Sequence, residues 1–170
     1  RLLPNGELDE TFNAGIGPDA TVHSVDILIN GQVVVGGDFK TFNLQMMPGV
    51  AVLESNGGLV ESFAVHDGFN GSVKKVVAQS DLKLVVGGLF TQYQSEGVNR
   101  IVRLNPDGSR DDSFSVGTGA NAGVYEVVIQ PDGKVLLGGN FNEFNGLNKN
   151  GIVRLKRDGN VDPTINFGSG

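Results

Sequence analysis

Cysteine is absent from the 170 residues, which excludes disulfide frameworks, thiolate zinc sites and thiol nucleophiles together. The absence leaves the compartment open, because a cysteine-free chain folds equally well in reducing and oxidising surroundings. Histidine occurs twice, at His23 and His66. No apolar run approaches the roughly 18 residues of a membrane span, and nowhere do apolar residues keep a helical 3.6-residue period. Positive charge is scarce. Lys and Arg number 13 against 19 Asp and Glu, a net charge of −6, so an electrostatic grip on nucleic acid or anionic lipid is not expected. No signal peptide is recognisable, and the chain opens with Arg1 instead of Met, which suggests a processed or excerpted chain. Glycine is what the sequence has in excess: 26 residues, about double the usual share of about 7%. They lack the triplet order of collagen, so they signal many turns.

The glycines reveal a repeat. Gly36-Gly37, Gly87-Gly88 and Gly138-Gly139 recur 51 residues apart, each pair ending an apolar run, VVVGG, LVVGG and VLLGG. The same step links Phe39, Phe90 and Phe141, then Phe42, Tyr93 and Phe144, then Phe12, Phe63 and Phe114, with Ile165 in the fourth place. Leu53, Leu104 and Leu155 keep the phase, as do Gly57, Gly108 and Gly159, with no gap anywhere. Three periods leave 17 residues over, so residues 1–17 repeat the phase of residues 154–170.

Within one unit the signals are for strands. VHSVDILI (22–29) is rich in β-branched residues and runs into Asn30-Gly31, a hairpin turn. QVVVGGDF (32–39) follows, then about ten polar residues, GVAVLES (49–55), a second Asn-Gly turn and LVESFAV (59–65). Each unit reads as a four-stranded antiparallel meander, strands a to d. Such a meander repeated every 51 residues predicts an all-β chain, a β-propeller segment of four-stranded blades. A β-trefoil is the alternative, but it would close after 153 residues and leave 17 unexplained. The predicted division is a c–d hairpin of a preceding blade at 1–13, then blades at 14–65, 66–116 and 117–170.

The segments RLNPDGSRDDSF (103–114), VYEVVIQPDGKVLLGGNF (124–141) and FNGLNKNGIVRL (144–155) resemble delta-60 repeats of bacterial β-propeller proteins. The resemblance runs over essentially the whole chain. The first unit departs most: Val52 stands where the others have Arg before Leu, and Met46-Met47-Pro48 enters its b–c connection. A more distant similarity to kelch blades rests on the Gly-Gly ending alone. The delta-60 resemblance implies a secreted or surface-exposed bacterial protein, a member of long arrays, and says little about biochemical role.

Candidate chemistry is sparse. His23 and His66 fall at different phases, with no HExxH zinc spacing and no GxSxG nucleophile elbow. Asn105, Asp107, Ser109 and Asp111 alternate as in oxygen-rich calcium loops. The matching stretch 56–60 keeps the turn without those oxygens, so a hairpin turn with self-bonded Asp is the expectation. Calcium at Asp107 and Asp111, or at Asp158 and Asp162, is the alternative. The Gly pairs precede no helix, which argues against phosphate loops. Asn70-Gly71-Ser72 matches a glycosylation sequon, an accidental match if the origin is bacterial. No catalytic residue, metal or cofactor is expected.

Topology is more informative. In a meander the short a–b and c–d turns share one face, and the longer b–c and d–a connections share the other. The long connections vary between units, and variation on a rigid scaffold is where binding resides. Candidate contacts are Asn43, Gln45, Tyr93, Gln94, Arg100, Asn145 and Asn148 in the b–c segments, with Asp67 and Asn121 in the d–a segments. The expectation is a non-enzymatic extracellular or cell-surface scaffold binding protein or glycan. It would also associate with further repeats or other copies, without nucleic acid and without membrane insertion. An alternative is a propeller glycosidase or lyase, which needs carboxylates about 5–9.5 Å apart; Glu96 and Glu143 lie on that face but out of phase. A third is a structural spacer in a surface fibre.

Overall fold

The structure is a computed structural model and describes residues 1–165. In the first unit β1 (Val22–Ile27), β2 (Val33–Gly37) and β5 (Val50–Leu53) form an antiparallel sheet in the order β1-β2-β5, and β3 (Thr41–Phe42) and β4 (Gln45–Met46) form a small hairpin beside it. The second unit repeats this with β6 (Val73–Ala78), β7 (Leu84–Gly88), β8 (Gln92–Tyr93), β9 (Glu96–Gly97) and β10 (Ile101–Leu104). The third has β11 (Val124–Ile129), β12 (Val135–Gly139), β13 (Glu143–Phe144), β14 (Leu147–Asn148) and β15 (Ile152–Leu155). No helix occurs among the described residues. Each inner strand carries one bulge at the same phase, between Val22 and Ser24, Val73 and Lys75, and Val124 and Glu126.

The fourth strand is shorter than the sequence suggests. It contracts to a single bridge in every unit, Leu53 to Leu59, Leu104 to Arg110 and Leu155 to Val161, and residues 1–13 show the same bridge between Leu2 and Leu8. The reason is local. One residue later the backbone N–H of Asp111 still donates to the Arg103 carbonyl at 2.8 Å. The Asp111 carboxylate then accepts from the N–H of Ser113 at 3.0 Å. The chain leaves the sheet by the same backbone turn in the first blade, where Val60 replaces Asp111. The N–H of Phe63 donates to the Val60 carbonyl and that of Phe114 to the Asp111 carbonyl, both at 3.1 Å, so the carboxylate reinforces a turn the backbone already makes.

Successive sheets stack side by side, with β1 against β6 and β6 against β11. The glycine pairs set the approach. A Cβ on Gly36 would stand 2.8 Å from a Val73 methyl and 3.2 Å from one of Val76; on Gly87 it would stand 2.8 Å from Val124 and 2.9 Å from Val127. The first glycine of each pair therefore makes the hollow into which the next blade's valines fit. The second, Gly37, Gly88 or Gly139, lies under a backbone carbonyl of the preceding connection, which a Cβ would strike. Phe39, Phe90 and Phe141 sit beneath with almost no exposure, and the rings of Phe39–Phe42 and Phe141–Phe144 meet edge to face at 6.1 and 6.3 Å. These stacked antiparallel sheets are β-propeller blades.

Candidate functional site

The b–c connections are built elements. Their tips hold Asn43-Leu44, Gln94-Ser95 and Asn145-Gly146 in the left-handed region, φ 50° and 66°, 49° and 65°, 50° and 73°. Two such residues in succession make the tight turn that suits a two-residue hairpin. Asn145-Gly146 is a dipeptide suited to that turn, within a connection the sequence presented simply as long and polar. Each hairpin is pinned to the d–a connection before it. Asn121 Oδ1 accepts from the N–H of Asn142 and of Glu143, both at 3.2 Å. Asp19 and Asn70 do the same in their blades.

The residues singled out on this face therefore divide. Asn43 Oδ1 accepts from Gly17 N–H at 2.9 Å, and Asn145 Oδ1 from Thr118 N–H at 3.2 Å. The Tyr93 ring is buried against Phe69 at 4.6 Å, and its hydroxyl donates to the Gly108 carbonyl. Burial pushes that phenol well above its ordinary pKa. Gln94 donates to the Tyr93 oxygen at 3.3 Å, and Arg100 donates to the Leu89 carbonyl. Asn43, Tyr93, Asn121, Asn145 and Arg100 thus spend hydrogen bonds within the chain, while Gln45, Asn148 and Asp67 are exposed.

The same face carries a polar cluster that sequence spacing did not reveal. His23 Nε2 lies 2.8 Å from Asp38 Oδ2 and 2.9 Å from Lys74 Nζ, and Ser72 donates to Asp38 Oδ1. The Ser72 bond, with His23 and Lys74 beside it, holds the Asp38 carboxyl below its usual range. This is not a hydrolase relay, in which serine gives its proton to histidine. Here Ser72 donates to the carboxylate. Nε2, set between carboxylate and ammonium, serves one of them at a time. The cluster ties the first blade to the second.

On the opposite face the c–d turns hold a second unforeseen arrangement. Arg103 Nε donates to Asp111 Oδ2 at 2.6 Å, Lys83 Nζ to the same oxygen at 2.8 Å, and Ser113 Oγ to Oδ1 at 2.6 Å. Arg154, Lys134, Thr164 and Asp162 reproduce it in the third blade, and Arg1, Asp9 and Thr11 in the leading hairpin. Burial alone would raise the Asp111 carboxyl, but Lys83, Ser113 and Arg103 together hold it well below its normal range. Two of the four carboxylates proposed for calcium, Asp111 and Asp162, are thus already neutralised by cations. Asp107 and Asp158 accept from the N–H two residues on, at 2.9 and 3.0 Å, as self-bonded turn residues. The clasp also crosses blades: Arg103 Nη1 donates to the Arg157 carbonyl at 2.8 Å, and Arg1 Nη1 to Ser55 at 2.9 Å.

Beside this clasp, between the second and third blades, opens a groove of about 550 Å³ lined by Gln79, Ser80, Asp81, Gln130, Pro131 and Arg157 among others. Its size is that of a small-ligand site. The side-chain oxygens of Gln79 and Gln130 are shut off from solvent and have no hydrogen-bond partner. The first blade has Leu28 at that phase, 5% exposed. Packing is therefore satisfied by an apolar residue here, and unpaired amides are the costlier choice.

Residues 79–114 and 130–164 match the family described as a domain of unknown function (DUF5122) beta-propeller. The two matches are offset by the repeat length and run from the groove glutamines through the Lys–Arg–Asp clasp. No curated protein matches the chain.

Proposed function

We propose that the chain is a non-enzymatic interaction scaffold of the extracellular space or cell surface that binds a protein or glycan ligand by hydrogen bonding. The observation that carries the reading is the groove between two blades, lined by the half-buried Gln79 and Gln130. Their side-chain oxygens are turned away from solvent without a partner among the described residues, so that rotation of each amide outward would present it to a ligand. An amide offers donors and acceptors side by side, which suits sugar hydroxyls and peptide backbone alike. The exposed guanidinium of Arg157, anchored through Nε on the Asp132 carbonyl at 2.5 Å, adds donors at the rim.

This reading moves the working surface from the b–c and d–a face to the tight-turn face. The experiment compares them on glycan and peptide arrays. Gln79→Leu with Gln130→Leu copies Leu28 of the first blade, so it should preserve the melting temperature while weakening binding at least tenfold. Gln45→Ala and Asn148→Ala should leave binding unchanged. The reverse pattern would return the site to the loop face, and turnover of an arrayed polysaccharide would replace the binding reading with an enzymatic one.

A further inference from the structure

We propose that a second copy of this chain docks head to tail on the third blade, exchanging one hairpin for another as it does so. The structure contains the same blade-to-blade interface twice and the two halves of a third. In both internal interfaces the first glycine of a pair meets two valines of the next inner strand, Gly36 with Val73 and Val76, Gly87 with Val124 and Val127. On the third blade no described residue fills the equivalent hollow: among the described residues a Cβ on Gly138 would meet only Glu126, at 3.5 Å. At the other end Val22 and Val25 hold the phase of the inserted valines. Val25 is 61% exposed, whereas Val76 and Val127 are buried. The two surfaces are mates of an established interface, on opposite ends of one chain.

The hairpins settle how the ends would meet. Residues 1–13 lie against the first blade as residues 103–115 lie against the third, with Asn13 N–H on the Asn56 carbonyl and Ser115 N–H on that of Asp158. They share the phase, the bridge and the Arg–Asp–Thr clasp of the segment that begins at Arg154. A docking copy must therefore displace its own leading hairpin and accept the partner's in its stead. The exchange replaces like with like. It also extends the bonding of Arg154: Arg1 and Arg103 each donate Nη1 to a carbonyl of the next blade, at Ser55 and Arg157, while among the described residues Arg154 bonds through Nε and Nη2. In the assembly Arg154 Nη1 would take over the Ser55 carbonyl of the second copy. Such a contact is heterologous and makes a ring if the rotation closes. Two copies of three blades would make six, within the range of about four to eight that propellers use.

A decisive pair of variants follows. Gly138 has no left-handed φ and open space around its Cβ, so Gly138→Val should keep the fold while filling the hollow. Sedimentation should show wild type associating with rising concentration and this variant monomeric, with equal melting temperatures for the variant and wild-type monomers. The second variant carries Val25→Cys and Gly138→Cys. In the internal counterpart a Cβ on Gly36 lies 3.5 Å from Val76 Cβ, within disulfide reach of about 3.5–4.5 Å, and the chain has no other cysteine. Oxidation should yield a covalent dimer that reverts to monomer on reduction. A wild type monomeric at every concentration, or association that survives Gly138→Val without the disulfide forming, would overturn the proposal. So would capture by Gly138 of a different repeat segment in preference to a second copy.

Discussion

The N–H of Val60 donates to the Val52 carbonyl at 2.9 Å, in the same backbone register in which Asp111 donates to Arg103 at 2.8 Å. One register thus carries an apolar pair in the first blade and an ion pair in the second. The substitution is concerted, since Gln32 also stands where Lys83 and Lys134 supply the third charge. Removing one member of such a buried cluster strands the others, whereas replacing all of them by packed apolar groups does not.

Arg103→Ala alone should therefore destabilise the fold by about 3–5 kcal/mol, leaving Asp111 with one cation fewer in a buried setting. Arg103→Val with Asp111→Val and Lys83→Gln, copying the first blade, should recover most of that loss. Urea denaturation of the two variants tests the coupling, and additive losses would refute it.

The clasp carboxylates also fix the acid sensitivity. Thr11, followed by Arg1, lowers Asp9 to about 2 from 3.8. Asp162 is held lower still by Thr164 and then Lys134, and Asp111 is likewise depressed. Carboxyls depressed in the folded state contribute stability that is complete above the unfolded pKa, about 3.9, and lost as pH falls through the folded value. Stability should be level from pH 7 to about 5 and fall steeply from about pH 4 to 2. The triple variant of the second blade should fall less steeply, measured as melting temperature against pH.

The paired glycines should divide by context. Gly36→Val must force apart the Val73 and Val76 methyls and should cost about 1–3 kcal/mol. Gly37→Val and Gly88→Val meet backbone carbonyls, which cannot swing aside as side chains do, and should cost more. Gly138→Val should cost little in the same thermal melts.

Tyr93 differs from Phe42 and Phe144 by one hydroxyl, bonded to the Gly108 carbonyl of its own blade's c–d turn. Tyr93→Phe should cost about 1 kcal/mol and leave ligand binding unaltered. Loss of binding in this variant, with the melting temperature preserved, would put the ring in the site.

By itself the sequence determined the strands, the 51-residue phase and the propeller class, because alternating apolar runs, Asn-Gly turns and paired glycines act through neighbours close along the chain. It also marked Val52 as an oddity without showing that Val60 and Gln32 complete the change. The contraction of the fourth strand came from a backbone turn, Phe63 N–H to the Val60 carbonyl and Phe114 N–H to that of Asp111, which forms with either side chain and carries no turn dipeptide to announce it. Which loop residues were committed inside was likewise a tertiary matter: Asn43 and Asn145 look free in sequence but meet amides 26 and 27 residues away. The His23–Asp38–Lys74–Ser72 cluster and the Gln79–Gln130 groove arise only where two blades face each other. Local propensity sets the blade, but the spacing between adjacent blades, fixed by valines seated over Gly36 and Gly87, decides which polar groups meet and which are left unpaired.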